Sequence, residues 1–526
     1  MTKLIKKYSI HNTDYSVGQD NIQKWGFDIH NPVFAISAGL IFLFLAATLL
    51  TDSATAKAAL DGLKWDIIGT FDSLFIWSGN FFVLFCLALI ISPYGKIRIG
   101  GKNAKPDHST ISWLAMLFAA GMGIGLMFWS VAEPVAYLTG WYKTPLGVEA
   151  NTAEAARLAM GATMYHWGLH PWAIYGVVAL SLAYFSYNKG LPLSIRSSFY
   201  PILGERTWGW SGHVIDILAV LATLFGLATS LGLGAKQAAS GINHIFGTEG
   251  GIGLQIGIIV GVTGVAVLSV IRGLEGGVKL ISNINMVIAF VLLVVVASVG
   301  FAVAIGNLPT TVAAYLENII PLSNPHGRDD EAWFQGWTVF YWAWWISWSP
   351  FVGMFIARIS SGRTVREFMI AVLLVPTFIT LIWMSIYGGI AIDQVMNGIG
   401  ALGTEGLTDV SLAMFQMFDQ LPMSTLLSVI AVLLVLIFFV TSSDSGSLVI
   451  DSITAGGKID APVPQRIFWA TLEGAIASVL LWVGGTEAIQ ALQAGAISTG
   501  LPFTIVLLLM CVSLIMGFRT EKDISN

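Results

Sequence analysis

The sequence has little charge and almost no cysteine, and both shortages restrict the class of protein it encodes. Charged residues make up 11% of the 526 residues, less than half of the roughly 25% found in soluble domains. This composition excludes an ordinary water-soluble enzyme, and we expect no enzymatic activity. The two cysteines, Cys86 and Cys511, lie in apolar runs, so they do not form a disulfide scaffold. A net charge of −5 leaves no basic surface for nucleic acid.

Apolar residues, in contrast, are abundant and arranged in long runs. Hydrophobic residues account for 55% of the chain, and about 20 consecutive apolar residues suffice to cross a bilayer as a helix. The pattern predicts an all-α polytopic membrane protein with twelve transmembrane helices, at 33–51, 72–92, 110–138, 156–185, 212–235, 252–271, 279–305, 333–357, 365–388, 425–450, 466–484 and 500–518. The stretches 308–320 and 408–420 are predicted to be short interfacial helices.

The distribution of lysine and arginine predicts the orientation of these spans. With a cytoplasmic N-terminus, 20 of the 26 basic residues fall in cytoplasmic segments. This bias agrees with the positive-inside rule and places both termini in the cytoplasm. The first 30 residues are polar and show no cleavage signal, so we expect the first span to act as the insertion signal.

Alternating glycines interrupt the third predicted span, in the run Gly121-Met122-Gly123-Ile124-Gly125. Each glycine weakens a helix by about 1 kcal/mol, which would open backbone carbonyls to a ligand or ion. Gly121 and Gly125 also form a GxxxG pair that suits close helix packing, and the spacing leaves both interpretations open. Glu133, near the outer end, is expected to cap the span and pair with a neighbour.

The eighth predicted span contains a tryptophan cluster. Trp344 and Trp348 share one helix face and Trp345 lies about 100° around the same turn, while Pro350 is expected to interrupt the helix. Tryptophans also mark interfacial belts, but this cluster lies in mid-span. Aromatic faces attract quaternary ammonium groups by about 2 kcal/mol or more when desolvated, so an onium-binding cage is the favoured interpretation.

The fourth predicted span adds aromatic residues beside two histidines. Trp172 and Tyr175 share a face, and Trp167 precedes them by a little over one turn. His166 and His170 have the spacing of a helical zinc pair, but no glutamate stands between them and no third ligand is near in sequence. Polar residues satisfied at a helix interface are therefore favoured over zinc.

Hydroxyl side chains occupy the middle of the tenth predicted span, in the run 441–446. Thr441 and Ser442 could ligate a small cation through oxygen or bond back to their own helix. Asp444 is costly at this depth and is expected to pair or cap.

Taken together, these motifs resemble the betaine/choline/carnitine transporter family, with a pattern closest to its sodium-coupled betaine symporters. Residues 340–366 resemble the family signature nearly residue for residue, and the runs at 121–125, 166–175 and 441–446 follow the family order. The resemblance implies a leucine-transporter-type core and a homotrimer. Its segments are a cytoplasmic tail 1–32, two peripheral spans 33–109, an inverted repeat of spans 3–7 at 110–305, an extracytoplasmic connection 306–332, the second repeat of spans 8–12 at 333–518, and a tail 519–526.

The resemblance also implies site residues. The substrate would be held by aromatic and glycine residues, namely Trp167, Trp172, Tyr175, Trp344, Trp345, Trp348, Gly121, Gly123 and Gly125. One sodium ion would be held by carbonyls and hydroxyls at Ala119, Met122, Phe438, Thr441 and Ser442. A second sodium site would use Thr223 and Phe351, but Leu227 stands where a second threonine is needed, so that site would lack one of its hydroxyl ligands.

The resemblance further implies sodium symport of a glycine betaine-type solute across the bacterial inner membrane, with sodium as coupling ion, no other cofactor, and lipids as surroundings. Gly125 stands where choline-selective members often carry an acid, and Met286 where sodium-independent antiporters carry an arginine. The alternatives are a sodium-independent carnitine or betaine exchanger and a proton-coupled choline transporter. Outside the family, a zinc enzyme and a channel remain the competing classes.

Overall fold

A computed structural model describes residues 13–121, 123–271, 275–403, 407, 409–460 and 462–521. The described chain is mostly helical. In chain order its α-helices are α1 (Asn31–Leu50), α2 (Ser53–Ile91), α3 (Thr110–Gly121), α4 (Ile124–Thr139), α5 (Ala153–Trp167), α6 (Leu169–Ala183), α7 (Tyr200–Leu203), α8 (Trp210–Phe246), α9 (Ile252–Ile271), α10 (Glu275–Val299), α11 (Phe301–Ser323), α12 (Glu331–Phe334), α13 (Phe340–Ile359), α14 (Val365–Met396), α15 (Ala413–Phe418), α16 (Ser424–Thr454), α17 (Val463–Gly484) and α18 (Ala488–Phe518).

Within the described residues, nine helical stretches are long and apolar enough to cross a membrane. One of them, Val463–Phe518, contains both α17 and α18. The third predicted span does not count among the nine because its break divides it into the shorter helices α3 and α4. The chain is thus a multi-pass helical membrane protein, while the count of twelve spans and the inverted repeat stay predictions.

Several helices are longer than predicted. Helix α2 begins at Ser53, well before residue 72, because Asp52 caps it by accepting a hydrogen bond from the Thr55 amide at 3.0 Å. Helix α11 extends the interfacial helix predicted at 308–320, and the short α15 falls within 408–420. Hydropathy locates the apolar centre of a helix, whereas capping decides where it begins.

The predicted break in the third span is confirmed, and a second break was not predicted. Helix α3 ends at Gly121 and α4 begins at Ile124. The segment 156–185, predicted as one span, is divided at Gly168 between α5 and α6. Pro171 lacks the N–H that would bond to the carbonyl four residues earlier, and the Leu169 amide donates instead to the Tyr315 hydroxyl at 3.1 Å.

The predicted interruption at Pro350 is wrong. Helix α13 runs from Phe340 to Ile359 with Pro350 inside it. The proline leaves the Ile346 carbonyl without its usual amide donor, and the Ser349 hydroxyl donates to that carbonyl at 2.7 Å. A serine beside the proline thus replaces the missing hydrogen bond, and the helix continues.

A β-hairpin departs from the all-α prediction. Strands β1 (Asn21–Lys24) and β2 (Phe27–His30) pair antiparallel, and both Trp25 and Gly26 adopt positive φ in the two-residue turn, as tight hairpins require. The hairpin is fixed to the membrane domain, because the Asn21 side chain donates to the Ala455 carbonyl at 2.9 Å.

Exposed and buried surfaces are divided as expected for a protein in lipid. Helix α13 packs against α6, α8 and α18 at the centre of the molecule, and Trp342 and Trp344 are fully buried there. Outer helices expose apolar side chains, such as Leu43, Leu84 and Val260. Broad exposed apolar surfaces of this kind fit the hydrocarbon core of a bilayer.

Candidate functional site

Six aromatic side chains predicted to bind substrate lie around one cavity, which we call the inner cavity. Its lining residues are Gly123, Gly125, Leu126, Trp167, Pro171, Trp172, Tyr175, Trp344, Trp345, Trp348 and Thr380. They come from α4, α5, α6, α13 and α14, with Gly123 preceding α4 and the predicted residue Gly121 ending α3. The structure therefore brings together aromatic residues that are far apart in sequence, while their role in binding stays a prediction.

The rings of the inner cavity face in different directions. The Trp344 and Trp345 rings stack with centroids 4.7 Å apart. Trp167 meets Trp345 edge-to-face at 4.9 Å, and Trp172 meets Tyr175 edge-to-face at 5.4 Å. Because edge-to-face pairs turn their planes against each other, the rings enclose the cavity instead of forming a single stack.

The indole N–H groups of four of these tryptophans are bound to protein acceptors. They donate as follows: Trp167 to Glu133 Oε2 at 2.6 Å, Trp344 to Ser230 Oγ at 3.2 Å, Trp345 to the His166 carbonyl at 3.0 Å, and Trp348 to the Gly226 carbonyl at 2.9 Å. An indole has only one donor, so these rings have only their π-faces and edges left for a ligand.

Glu133 anchors this arrangement, which is a larger role than the cap predicted for it. Its fully buried carboxylate accepts from the Tyr137 hydroxyl at 2.8 Å, from Trp167 and from the Tyr341 hydroxyl, and His166 Nδ1 lies 2.9 Å from Oε1. Helices α4, α5 and α13 thus meet at one carboxylate. Four polar partners are what a buried carboxylate needs to offset its desolvation.

The expectation that Glu133 caps the third span is wrong, because Glu133 lies inside α4 with Pro134 next to it. The expectation that Glu133 pairs with a neighbouring side chain is confirmed by the hydrogen bonds of its carboxylate. A signal was present in the sequence: an acid at membrane depth is usually functional, and Tyr137 stands one helical turn away.

The two histidines pack against aromatic rings of α13. The ring of His166 stacks on Tyr341 and that of His170 on Trp342, with centroids 4.6 and 4.9 Å apart. His170 Nε2 also lies 3.2 Å from Asn80 Oδ1. No group of three or more His, Cys, Asp or Glu side chains in the described part of the chain is placed to hold a metal. Both histidines lie in a packed interface, as favoured from the sequence, although His170 Nδ1 is buried without a hydrogen-bond partner among the described residues.

Gly125 is needed for the close packing at the inner cavity. A Cβ at this position would lie 2.7 Å from Trp167 Cη2 and 3.1 Å from Trp344 Cη2. At Gly123 an added Cβ would meet nothing within 4 Å. The two glycines therefore differ, because one accommodates the indole rings and the other faces open space.

The predicted sodium ligands are only partly described. Ala119 lies on α3, Met122 lies outside the described residues, and Phe438, Thr441 and Ser442 lie on α16. The Thr441 hydroxyl donates to the carbonyls of its own helix, at 3.0 Å to Ile437 and 3.1 Å to Phe438. This is the back-bonding alternative, although a hydroxyl that donates keeps lone pairs for a cation. The sodium site stays a prediction.

The residues predicted for a second sodium site contact other protein groups. The Thr223 hydroxyl donates to the Ala219 carbonyl at 2.7 Å, and Leu227 packs closely against Gly446. Phe351 meets the Trp348 ring edge-to-face at 5.5 Å. Asp444 pairs with Arg466 at 3.3 Å, as expected.

A second, larger cavity was not foreseen from the sequence. This outer vestibule, of about 860 Å³, is open and mixes aromatic with charged residues, among them Lys64, Trp129, Trp141, Tyr142, Lys236, Trp337, Asp409, Glu487, Gln490 and Gln493. The indole N–H groups of Trp129 and Trp337 are buried and find no hydrogen-bond partner in the described part of the chain.

Comparisons with known proteins agree with the resemblance. Residues 32–523 match the family described as BCCT, betaine/carnitine/choline family transporter. The chain is 75% identical to glycine betaine transporter 1 of Vibrio parahaemolyticus, over 99% of this chain and 100% of the relative. It is 67% identical to a glycine betaine/proline/choline/ectoine transporter of the same organism, over 99% and 93%. A glycine betaine transporter of Acinetobacter baylyi is 42% identical, over 94% and 74%.

Proposed function

Because the chain belongs to the betaine/carnitine/choline transporter family, we propose that it imports a glycine betaine-type solute by sodium symport. The substrate is held in the inner cavity, with its trimethylammonium group against the indole faces. The names of the relatives, several of which transport glycine betaine, support this substrate class.

The observation that carries the proposal is the shared commitment of the indole N–H groups to protein acceptors. A trimethylammonium group has no N–H donor and no acceptor, so it suits π-faces whose own N–H groups are already bound to protein acceptors. Desolvated π-faces attract such a cation by about 2 kcal/mol or more. A primary amine would bring N–H donors, for which these four indoles offer no oxygen or nitrogen acceptor.

The start of α4 supports a zwitterion over a bare cation. Gly123, Gly125 and Leu126 line the inner cavity, and α4 begins at Ile124. The first amides of a helix have no partner within that helix, and its N-terminus favours negative charge. The carboxylate of a betaine would be bound there while its ammonium group contacts the rings.

Sodium coupling is proposed through the carbonyls of Ala119, Met122 and Phe438 and the hydroxyls of Thr441 and Ser442. Bound sodium would stabilise the outward-open state that admits substrate, and rocking of the helical bundle would then expose the inner cavity to the cytoplasm. The interrupted third span supports this arrangement, since broken helices expose carbonyls to coupling ions.

We further propose that the protein is a homotrimer of twelve-span subunits in the bacterial inner membrane, with both termini cytoplasmic and the five-plus-five repeat at its core. The lysine and arginine distribution supports this orientation.

Uptake of labelled glycine betaine, measured in cells without other betaine carriers, tests the coupling. Replacing sodium by potassium should reduce uptake to the background of cells with empty vector. Undiminished uptake in potassium would exclude sodium symport. Preloading with unlabelled carnitine or betaine would then reveal an exchanger, and dependence on external pH with choline would reveal the proton-coupled alternative.

Substitution of Trp348 tests the inner cavity. Trp348→Leu removes a π-face and should abolish uptake at normal membrane abundance. Trp482→Leu is the matched control, because Trp482 lies on α17 with 40% of its surface exposed, and it should transport as the wild type does. Wild-type transport by Trp348→Leu would remove the inner cavity from the proposal.

A further inference from the structure

Lys64 is a buried lysine in the wall of the outer vestibule. It lies on α2 with 1% of its surface exposed, and its Nζ donates to Gln493 Oε1 at 2.7 Å and to Gln490 Oε1. Nζ also lies 4.9 Å from the centre of the Trp65 ring. An ammonium group has three donors, and two neutral amides use only two of them.

The acidic groups around Lys64 are engaged elsewhere. Glu487, in the same wall, pairs with Lys57 at 2.8 Å, and Asp61 pairs with Lys57 at 3.0 Å. Asp409 accepts from the Ser411 amide and hydroxyl at 2.8 and 2.6 Å. Among the ion pairs of the described residues, none involves Lys64. The positive charge of Lys64 is therefore not neutralised by a direct carboxylate partner, and its field can act on a solute carboxylate in the vestibule.

The outer vestibule lies close to the inner cavity, because the two share helices. Trp129, in the vestibule wall, follows Gly125 of the inner cavity by four residues, which is about 6 Å along α4. Trp337 continues through Tyr341 to Trp345, with ring centroids 6.3 and 5.7 Å apart. The wall of the vestibule is thus continuous with the wall of the inner cavity through α4 and this chain of packed rings.

We propose that Lys64 selects solutes by charge in the outer vestibule. Its ammonium group attracts the carboxylate of a zwitterionic betaine and repels a bare onium cation such as choline. The inner cavity cannot make this distinction with its rings, because both solutes carry the same trimethylammonium group. A charge in a recessed wall raises the local concentration of the opposite charge and acts mainly on capture. This inference rests on the proposed function and adds a selectivity residue outside the inner cavity.

The test uses the full chain reconstituted in liposomes, with labelled glycine betaine as substrate and unlabelled choline as competitor. Lys64→Met should raise the KM for betaine by about tenfold, at the lower end of the range for electrostatic capture, with kcat unchanged. The choline concentration that halves betaine uptake, divided by the KM for betaine, should fall. Lys64→Arg keeps the charge and should behave as wild type does.

Lys143→Met is the matched control, since Lys143 is exposed and does not line the vestibule, and its loss changes the net charge equally; it should leave the preference for betaine over choline unchanged. If Lys64→Met does not reach the membrane, Lys64→Gln tests the same loss of charge with a polar side chain. Equal effects on betaine and choline, or the same shift in Lys143→Met, would overturn the role of Lys64. Wild-type liposomes that take up no betaine would instead contradict the proposed function, and this inference with it.

Discussion

The tryptophans of the inner cavity and those of the outer vestibule differ in the hydrogen bonding of their indole N–H groups. Trp167, Trp344, Trp345 and Trp348 have their indole N–H groups bound to acceptors behind the inner cavity. In the vestibule, Trp129 and the tryptophan at 337 are buried with N–H groups that find no described partner. The difference shows that a tryptophan-rich sequence does not by itself specify whether the indole N–H groups are bound. Acceptors from neighbouring helices decide this.

The charged groups beside the two cavities also differ in the partners that surround them. Beside the inner cavity, the Glu133 carboxylate is surrounded by four partners. In the vestibule, Lys64 is held by neutral amides and keeps its charge available. The Glu133 carboxylate holds aromatic side chains in position, whereas the Lys64 ammonium group is proposed to act on solutes in the vestibule.

The largest effect is expected from Glu133→Leu, which removes the anchor of the inner cavity. The Trp167 N–H and the Tyr341 hydroxyl lose their acceptor, whereas Tyr137 and His166 can still bond to each other at 3.0 Å. Each buried donor left unsatisfied costs about 1–3 kcal/mol. We expect low membrane abundance, a much lower unfolding temperature in detergent, and no betaine uptake.

Glu133→Gln keeps one acceptor oxygen and should fall between the wild type and Glu133→Leu. Glu154→Gln, at an exposed position in the first turn of α5, serves as control and should match the wild type. Normal stability and transport in Glu133→Leu would show that the inner rings hold their positions without this carboxylate.

A smaller effect is expected from adding one methyl group at the start of α4. Gly125→Ala forces a Cβ against Trp167 and Trp344, and overpacking of this kind costs about 1–3 kcal/mol. Gly123→Ala adds the same methyl group where nothing lies within 4 Å. The unfolding temperature in detergent should fall for the first variant and stay near wild type for the second; equal values would contradict the packing described at Gly125.

The smallest effect is expected from removing a single indole N–H group. Trp167→Phe and Trp129→Phe remove the same atoms, but only Trp167 loses a hydrogen bond, leaving Glu133 with one donor fewer. We expect Trp167→Phe to be less stable than Trp129→Phe by about 0.5–1.5 kcal/mol, because Glu133 keeps its other partners. The measurement is the unfolding temperature of each variant in detergent. A larger loss in Trp129→Phe would mean that its N–H group has a partner in the membrane.

Much of the inner cavity was predictable from local patterns. The helical spacing of Trp344 and Trp348, and of Trp172 and Tyr175, together with the family resemblance, named the six rings that line it. The glycine run predicted the break after Gly121. These features depend on neighbours within about one helical turn, where sequence spacing fixes relative direction.

Local rules failed where a distant or adjacent group supplied a missing hydrogen bond. Pro350 does not interrupt α13, because Ser349 donates to the carbonyl that the proline leaves free. The fourth span is broken at Gly168, where Tyr315 of α11 satisfies an amide at the new helix start. A proline removes a donor at both places, and the remaining partners decide whether the helix continues.

The sequence alone determined that this chain is a helical membrane protein, because hydropathy and helical spacing are local properties, and the family resemblance added the transporter class. Only the tertiary structure decided that Glu133 meets Tyr341, that Lys64 meets Gln493, and that four indole N–H groups beside the inner cavity are bound to protein acceptors. Those contacts join residues hundreds of positions apart or on separate helices. Their geometry depends on how whole helices pack, which no spacing along one helix records.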